Sequence, residues 1–298
     1  AGSTVTQTGT TTLTVGSTSA TGTVTNLNVN SGGVYNTATG ATTINTSGTI
    51  NVGGGTFNQN GNMNIQGGGD FSLTSGTHNV AATRTINVTG AGSTYTHAGS
   101  SFTLNGGSVM TVQADADAVL NTTFNIGTGG SSGTFTVTGA GSTVVNTGTA
   151  SVQVGANGVM NVNSSASFAS GIGGFNIFGD VNVDGGTLTL NSLLNQFGTF
   201  DVTSGTVNLA ASGTNAIQSG AVMTVTGGIV SVTGNLRLDG TLNAFGAGLF
   251  IPAANVTVQG GGNLTIANSL ALLNQTLTVQ HGGSLASIPG LTLGASGN

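Results

Sequence analysis

Short runs in which apolar residues alternate with Asn or Thr, each closed by two or three glycines, recur along this chain. Thr25-Asn26-Leu27-Asn28-Val29-Asn30 precedes Ser31-Gly32-Gly33, and Thr49-Ile50-Asn51-Val52 precedes Gly53-Gly54-Gly55. Asp180-Val181-Asn182-Val183-Asp184 precedes Gly185-Gly186, and Asn255-Val256-Thr257-Val258 precedes Gly260-Gly261-Gly262. A period of two gives each run one buried and one solvated face, the pattern of a β-strand. The glycines supply the positive φ of a sharp corner. Units recur about every 7 to 10 residues, a spacing that suits a sandwich, a barrel or a solenoid.

Three features select the solenoid. The pattern runs on without a domain-sized break. Like residues return at like strand positions, as ladders stacked about 4.8 Å apart require. A longer repeat is also present: Thr85-Ile86-Asn87-Val88-Thr89-Gly90-Ala91-Gly92-Ser93-Thr94 matches Thr134-Phe135-Thr136-Val137-Thr138-Gly139-Ala140-Gly141-Ser142-Thr143 about 50 residues on. Val109-Met110-Thr111-Val112 matches Val159-Met160-Asn161-Val162, and Val222-Met223-Thr224-Val225 echoes both. Such a unit reads as two coils of about 25 residues with about three strands each. The expected fold is all-β: a right-handed parallel β-solenoid (β-helix) of about 12 to 15 coils, roughly 60 to 70 Å long. Residues 1–298 read as one elongated domain, with the Thr-rich opening, 1–15, as donor strand or N-terminal cap.

Composition narrows the function. Only nine residues carry charge, seven Asp and two Arg, and the net charge is −5. Two arginines cannot neutralise a phosphate backbone, so nucleic acid is excluded as a partner. The helical alphabet of coiled coils is largely missing. Cys is absent, so there is no disulfide framework and no thiolate metal site. No apolar run is long enough for a membrane-spanning helix. With 37% hydrophobic residues and a mean hydropathy of +0.25, the chain departs from the disordered pattern. It opens Ala1-Gly2-Ser3 without Met or signal peptide, as a processed exported chain or a fragment does.

Val88-Thr89-Gly90-Ala91-Gly92-Ser93-Thr94-Tyr95 and Val137-Thr138-Gly139-Ala140-Gly141-Ser142-Thr143-Val144 carry a resemblance. They resemble the repeats of autotransporter passenger domains and related secreted bacterial proteins, which open V-x-G-x-G-S-T-aromatic. Ser101-Phe102-Thr103-Leu104-Asn105-Gly106-Gly107 and Ala150-Ser151-Val152-Gln153-Val154-Gly155 stand where the family's following segments stand. The match is specific over about 75 residues; Val144 replaces the usual aromatic. The resemblance implies a parallel β-solenoid on or beyond the cell surface, without chemistry of its own.

The search for chemistry yields few candidates. Asp115 and Asp117 would share a face if extended, about 7 Å apart; Asp180, Asn182 and Asp184 would share another. These four Asp are candidates for calcium, or for the acids of a polysaccharide lyase or hydrolase, against the plainer reading of solvated strand residues. His78, His97 and His281 read as solvated residues in polar turns. Arg237 and Asp239 read as one surface ion pair. The twelve Phe read as a stacked core ladder. The Asn-x-Ser/Thr sites at Asn45, Asn87, Asn121, Asn163, Asn255, Asn263 and Asn274 are expected by chance in so Asn- and Thr-rich a chain. Thr alternation also suits an ice-binding face, although Asn, Ser and Gln interrupt it.

No amphipathic helix caps either end, and edge-guarding Lys is absent. The sequence therefore reads as a non-catalytic extracellular protein that needs no cofactor. Its expected partner is itself, head to tail, by strand donation, with the cell surface or a polysaccharide as the second partner. So uncharged a fibre is expected to be indifferent to pH. The second reading is a monomeric surface adhesin or passenger rod.

Overall fold

The computed structural model describes residues 3–16, 25–272, 275–286 and 290–293. The chain winds through three faces in fixed order. Ser108–Gln113 lies on face 1, Asp117–Leu120 on face 2 and Phe124–Ile126 on face 3. Gly133–Thr138, Thr143–Asn146 and Val152–Val154 form the next coil directly above. Every strand-to-strand ladder is parallel, and face 1 is a 13-stranded sheet from Leu13–Val15 to Ser284–Ala286. At about 4.8 Å per rung this makes a rod of about 60 Å. The β-solenoid read from the sequence is the observed fold. No helix among the described residues is long and apolar enough to cross a membrane.

Period two explains which residues face inward. On face 1 Ile86, Met110, Phe135 and Met160 stack in register, one per coil. Two positions on, Val88, Val112, Val137 and Val162 do the same. All eight are buried at 1% exposure or less. Val and Ile suit this ladder because β-branched chains pack well on a pleated surface. The repeat of Met110 at Met160 thus spans two coils, with Phe135 between them.

Coil length varies while register holds. Stacked side chains are 30 residues apart at Thr6–Asn36, 25 at Thr136–Asn161 and 19 at Asn176–Asn195. The corners absorb the difference. Where they are tightest, only glycine fits: a Cβ on Gly198 would collide with the carbonyl oxygen of Gly179 in the coil below. Two strands do not stop at the corner between faces 2 and 3. Gly48–Gln59 and Asp70–Val80 run through it, with a register shift near Gly53.

Within the chain the Thr-rich opening forms the first rungs of the solenoid. Thr4–Thr6 pairs with Val34–Asn36, and Leu13–Val15 pairs with Thr42–Ile44 of the same chain. Alternation of Leu13 with Val15 is enough to seat that strand on the core.

Candidate functional site

The outer positions carry hydrogen-bonded ladders of uncharged side chains. On face 3 Asn36, Asn58 and Asn79 pass bonds from coil to coil at 2.6 and 2.7 Å. On face 1 Thr136, Asn161 and Asn182 do so at 3.1 and 3.0 Å. Asn follows Thr along this ladder, so it carries no unbroken Thr array of the ice-binding kind.

The four candidate carboxylates are spread over the exterior. Asp117 sits on face 2 between Thr94 and Thr143, and accepts a bond from the Thr143 hydroxyl. Asp115 does not share that face. The chain is not extended there: Ala114 and Asp115 have φ of 55° and 66° and form the corner, where Asp115 N–H donates to Ser142 Oγ at 3.0 Å. Asp180 and Asp184 do share the outer side of face 1, with Asn182 between them. Asp184 accepts from Ser204 Oγ at 2.7 Å. Asp201, which stacks over Asn182, and Asp70, which accepts from Thr94 Oγ1, belong to the same outer ladders. Sequence reading passed over both, though each lies in an alternating run. Among the described residues no three His or Asp side chains gather closely enough to hold a metal ion. Arg237 Nε donates to Asp239 Oδ2 at 2.9 Å as expected, and its Nη2 reaches Gln218 Oε1 at 3.2 Å.

The histidines overturn their expectation. His281 is exposed in a turn, but His78 and His97 are core residues, 5% and 0% exposed. Period two was the missed signal: Tyr95 and His97 alternate with Thr94 and Thr96, so both point inward. Gln59 Nε2 donates to the carbonyls of Gly61 and Thr85 at 2.9 and 3.0 Å. Its Oε1 therefore accepts from His78 Nε2 at 3.1 Å, which leaves His78 Nδ1 to accept the Tyr95 hydroxyl at 2.9 Å. Both ring nitrogens of His97 are buried without a partner, at a cost of about 1–3 kcal/mol each. Burial lowers the His78 pKa to about 3, helped by His97 beside it, and burial lowers His97 to about 4. Burial also raises the Tyr95 phenol well above its usual value. The rings around them form a continuous stack: Tyr95 and Phe71 at 5.1 Å, His97 and Phe102 at 5.0 Å, Phe102 and Phe124 at 5.4 Å between centroids.

Three openings in the wall are notable. The first lies at the N-terminal end, a cavity of about 450 Å³ lined by Val5, Leu27, Val29, Val34 and Tyr35. There Thr25–Asn30 pairs with residues 48–53, and its other edge is unpaired among the described residues. The second lies on face 3, about 460 Å³, lined by Thr77, His78, Asn79, Val80, Ser100, Ser101, Thr103 and Asn105. No backbone pairing joins residues 77–80 to Phe102–Leu104 across it. The third, about 220 Å³, lies beside Arg237 and is lined by Asn235, Asn255 and Thr257.

Most of the Phe are buried as expected, but Phe178, Phe197 and Phe245 are exposed. Phe178 and Phe197 stack on each other at 4.8 Å on the corner between faces 3 and 1. Phe178 follows the buried Ile177 directly, and adjacent strand residues cannot both point inward. Of the Asn-x-Ser/Thr sites, Asn121 and Asn255 are exposed, Asn45 is buried, and Asn274 lies outside the described residues.

No known family profile matches the chain, and no curated protein matches it. A crystal structure of the TibC-catalyzed hyper-glycosylated TibA55-350 fragment aligns with 97% of this chain and 100% of that one, at 17% identity and a TM-score of 0.27.

Proposed function

We propose that this chain is a non-catalytic structural rod of the cell exterior that adds end to end into filaments. The observation that carries the reading is the edge of Thr25–Asn30, unpaired among the described residues and lying beside an apolar cavity. An open strand edge over apolar side chains recruits another strand, whose backbone completes the ladder while its side chains fill the cavity. The occupant we assign is a second copy, through its Gly290–Leu293 strand. That strand comes next in winding order after Leu277–Val279 on face 3 and Ser284–Ala286 on face 1, and it pairs with Ser269–Leu272 on face 2, the face of Thr25–Asn30. Contact between different ends of like molecules does not close, so it propagates as a fibre. None of the residues lining the cavity is charged, so nothing there opposes the approach.

A place outside the cell fits a chain that withstands its surroundings by stacking rather than by charge, and fits the resemblance to secreted repeat proteins. The dispersed carboxylates support a role without catalysis. A surface adhesin is the second reading, favoured by Ile172, Phe178, Leu193 and Phe197, which expose apolar surface on the side wall.

Electron microscopy of the purified chain at micromolar concentration tests the proposal. Long filaments with an axial period near the rod length are expected. Leu27→Asp should leave single rods, with the circular dichroism spectrum unchanged. Monodisperse rods from the unmodified chain overturn end-to-end assembly and favour the adhesin.

A further inference from the structure

Among the described residues the face-3 wall has one internal break, and the two buried imidazoles lie beneath it; the other interruption of a ladder, on face 2, separates Leu249–Pro252 from Ser269–Leu272. Up to residues 77–80 the face-3 ladder is continuous, and it resumes at Phe102–Leu104, which pairs with Phe124–Ile126. Between the two there is no pairing, and the outer side-chain ladder stops as well. Asn79 donates back to Asn58, Thr103 accepts from Asn125, and no bond links Asn79 with Thr103. The gap is pinned at both corners, by Ser100 N–H to the Gly76 carbonyl and by Thr83 N–H to the Gly106 carbonyl, each 2.9 Å. Pinned so, it is too narrow to admit another strand, which would need two rung spacings, about 9.6 Å. His78 and Phe102 stack across it at 6.1 Å, wider than the 5.4 Å of Phe102 on Phe124.

We propose that this break is an acid-opened seam: when His78 and His97 take up protons, the rod parts on face 3 between residues 77–80 and Phe102–Leu104, while the coils beyond stay folded. The groups that face the imidazoles leave no place for the added charge. They are Phe57 and Gln59 from Gly48–Gln59, Phe71 from Asp70–Val80, Tyr95 from Thr94–His97, and Phe102 from the strand above. Of these only Tyr95 ionises, and no carboxylate is among them. Arg84, the nearest cation along the chain, lies past the far corner of residues 77–80. A proton added at His78 Nδ1 meets the Tyr95 oxygen, and the Tyr95 hydroxyl proton then has no acceptor. A proton added to His97 puts a second charge on a ring 6.3 Å from the first, with no partner for either N–H. Water reaches both most directly by widening the cleft that His78 already lines. At the seam no ladder bonds need to break first.

Hydrogen exchange by mass spectrometry, corrected for intrinsic rates, tests this on the unmodified chain. Between pH 7 and pH 4.5, protection over residues 77–80 and 101–105 should fall at least tenfold, while Asp180–Asp184 and Thr199–Val202 hold theirs. In the His78→Phe, His97→Leu double variant the acid effect should vanish. Equal loss in all coils, or a loss that persists in the double variant, overturns the seam. Should that variant fail to fold, negative-stain images of the unmodified rods decide: a bend about a third of the way along at pH 4.5 is expected, and straight rods at both pH values overturn it.

Discussion

Between residues 48 and 126 the interior of the rod is dominated by stacked aromatic and imidazole rings; between residues 180 and 266 it is mostly aliphatic, with Phe200, Phe250, Gln196 and Asn215 set among Val and Leu. The first stretch stacks Phe57, Phe71, His78, Tyr95 and Phe102, and its strands run unbroken through a corner. The second stacks Leu188 on Val207 and Val230, and Leu190 on Leu209 and Val232, in strands of four residues. The backbone ladder of faces 1 and 2 is the same in both. The difference shows that a parallel ladder fixes only which positions point inward, while the side chains placed there set how closely successive coils approach. Between residues 180 and 266 the ladders of all three faces run without interruption. The one interruption of the face-3 ladder falls among rings of unequal size and orientation, at His78 and Phe102.

The largest expected effect comes from placing a charge in the aliphatic stretch. Val202 is fully buried between Val183 and Val225. Val202→Asp puts a carboxylate where neither neighbour can bond it, a penalty beyond what a marginally stable fold tolerates. The expected outcome is loss of the β-sheet circular dichroism signal for the coils around it. If the variant keeps its spectrum and melting temperature, the two stretches do not differ in the way described.

Acid should act on the other stretch alone. The pKa values of His78 and His97 are lowered in the folded chain, from 6.5 to about 3 and about 4. The unfolded chain therefore binds more protons than the folded one in this window. Stability is complete above about pH 6.5 and falls as pH drops through the window to the folded values, by an amount on the order of several kcal/mol. Urea titrations followed by the signal of Tyr35 and Tyr95, both of which lie in or beside the aromatic stretch, should show the midpoint dropping between pH 7 and pH 4. Indifference to pH, which the near-absence of charge suggests, would return if that midpoint stayed constant. A chain with so few charges is expected to be acid-sensitive here because two of its three histidines sit in the core.

Corner glycines should matter in the aliphatic stretch by a middling amount. Gly198→Ala drives a methyl group against the Gly179 carbonyl oxygen in the coil below. Relief by a small shift of the corner costs about 1–3 kcal/mol, read as a lower urea midpoint. Gly220→Ala, where an added Cβ meets nothing but φ is +83°, should cost less, about 1 kcal/mol.

These contrasts also mark what the residues revealed unaided. The ladder is legible because alternation with period two and paired glycines each have a single structural meaning. The two-coil repeat is legible for the same reason. The histidine cluster is not, because residue type outweighs position: Thr77-His78-Asn79-Val80 alternates as plainly as its neighbours, yet its polar residues read as a turn. The Asp115–Asp117 pair failed differently. Alternation assumed an extended chain where Ala114 and Asp115 turn with positive φ, a conformation these residue types seldom adopt. The seam lay beyond sequence reading altogether, since it depends on how rings from coils about 24 residues apart fit together.

The smallest expected effect is at the surface of the aliphatic stretch, where Arg237 bridges Asp239 and Gln218. It is the one ion pair among the described residues. Arg237 is 38% exposed and Asp239 20%, so water screens their attraction, and a pair of this kind contributes about 0–1 kcal/mol. A double-mutant cycle of Arg237→Ala and Asp239→Ala should give a coupling within that range, and it should shrink when salt is raised. A coupling well above it would mean that the pair holds its coil in register, which the uncharged ladders achieve everywhere else. Bonds such as Asn182 to Asn161 and Asn79 to Asn58 already tie successive coils without charge, so a weak result at Arg237 is what a rod stabilised by stacking requires.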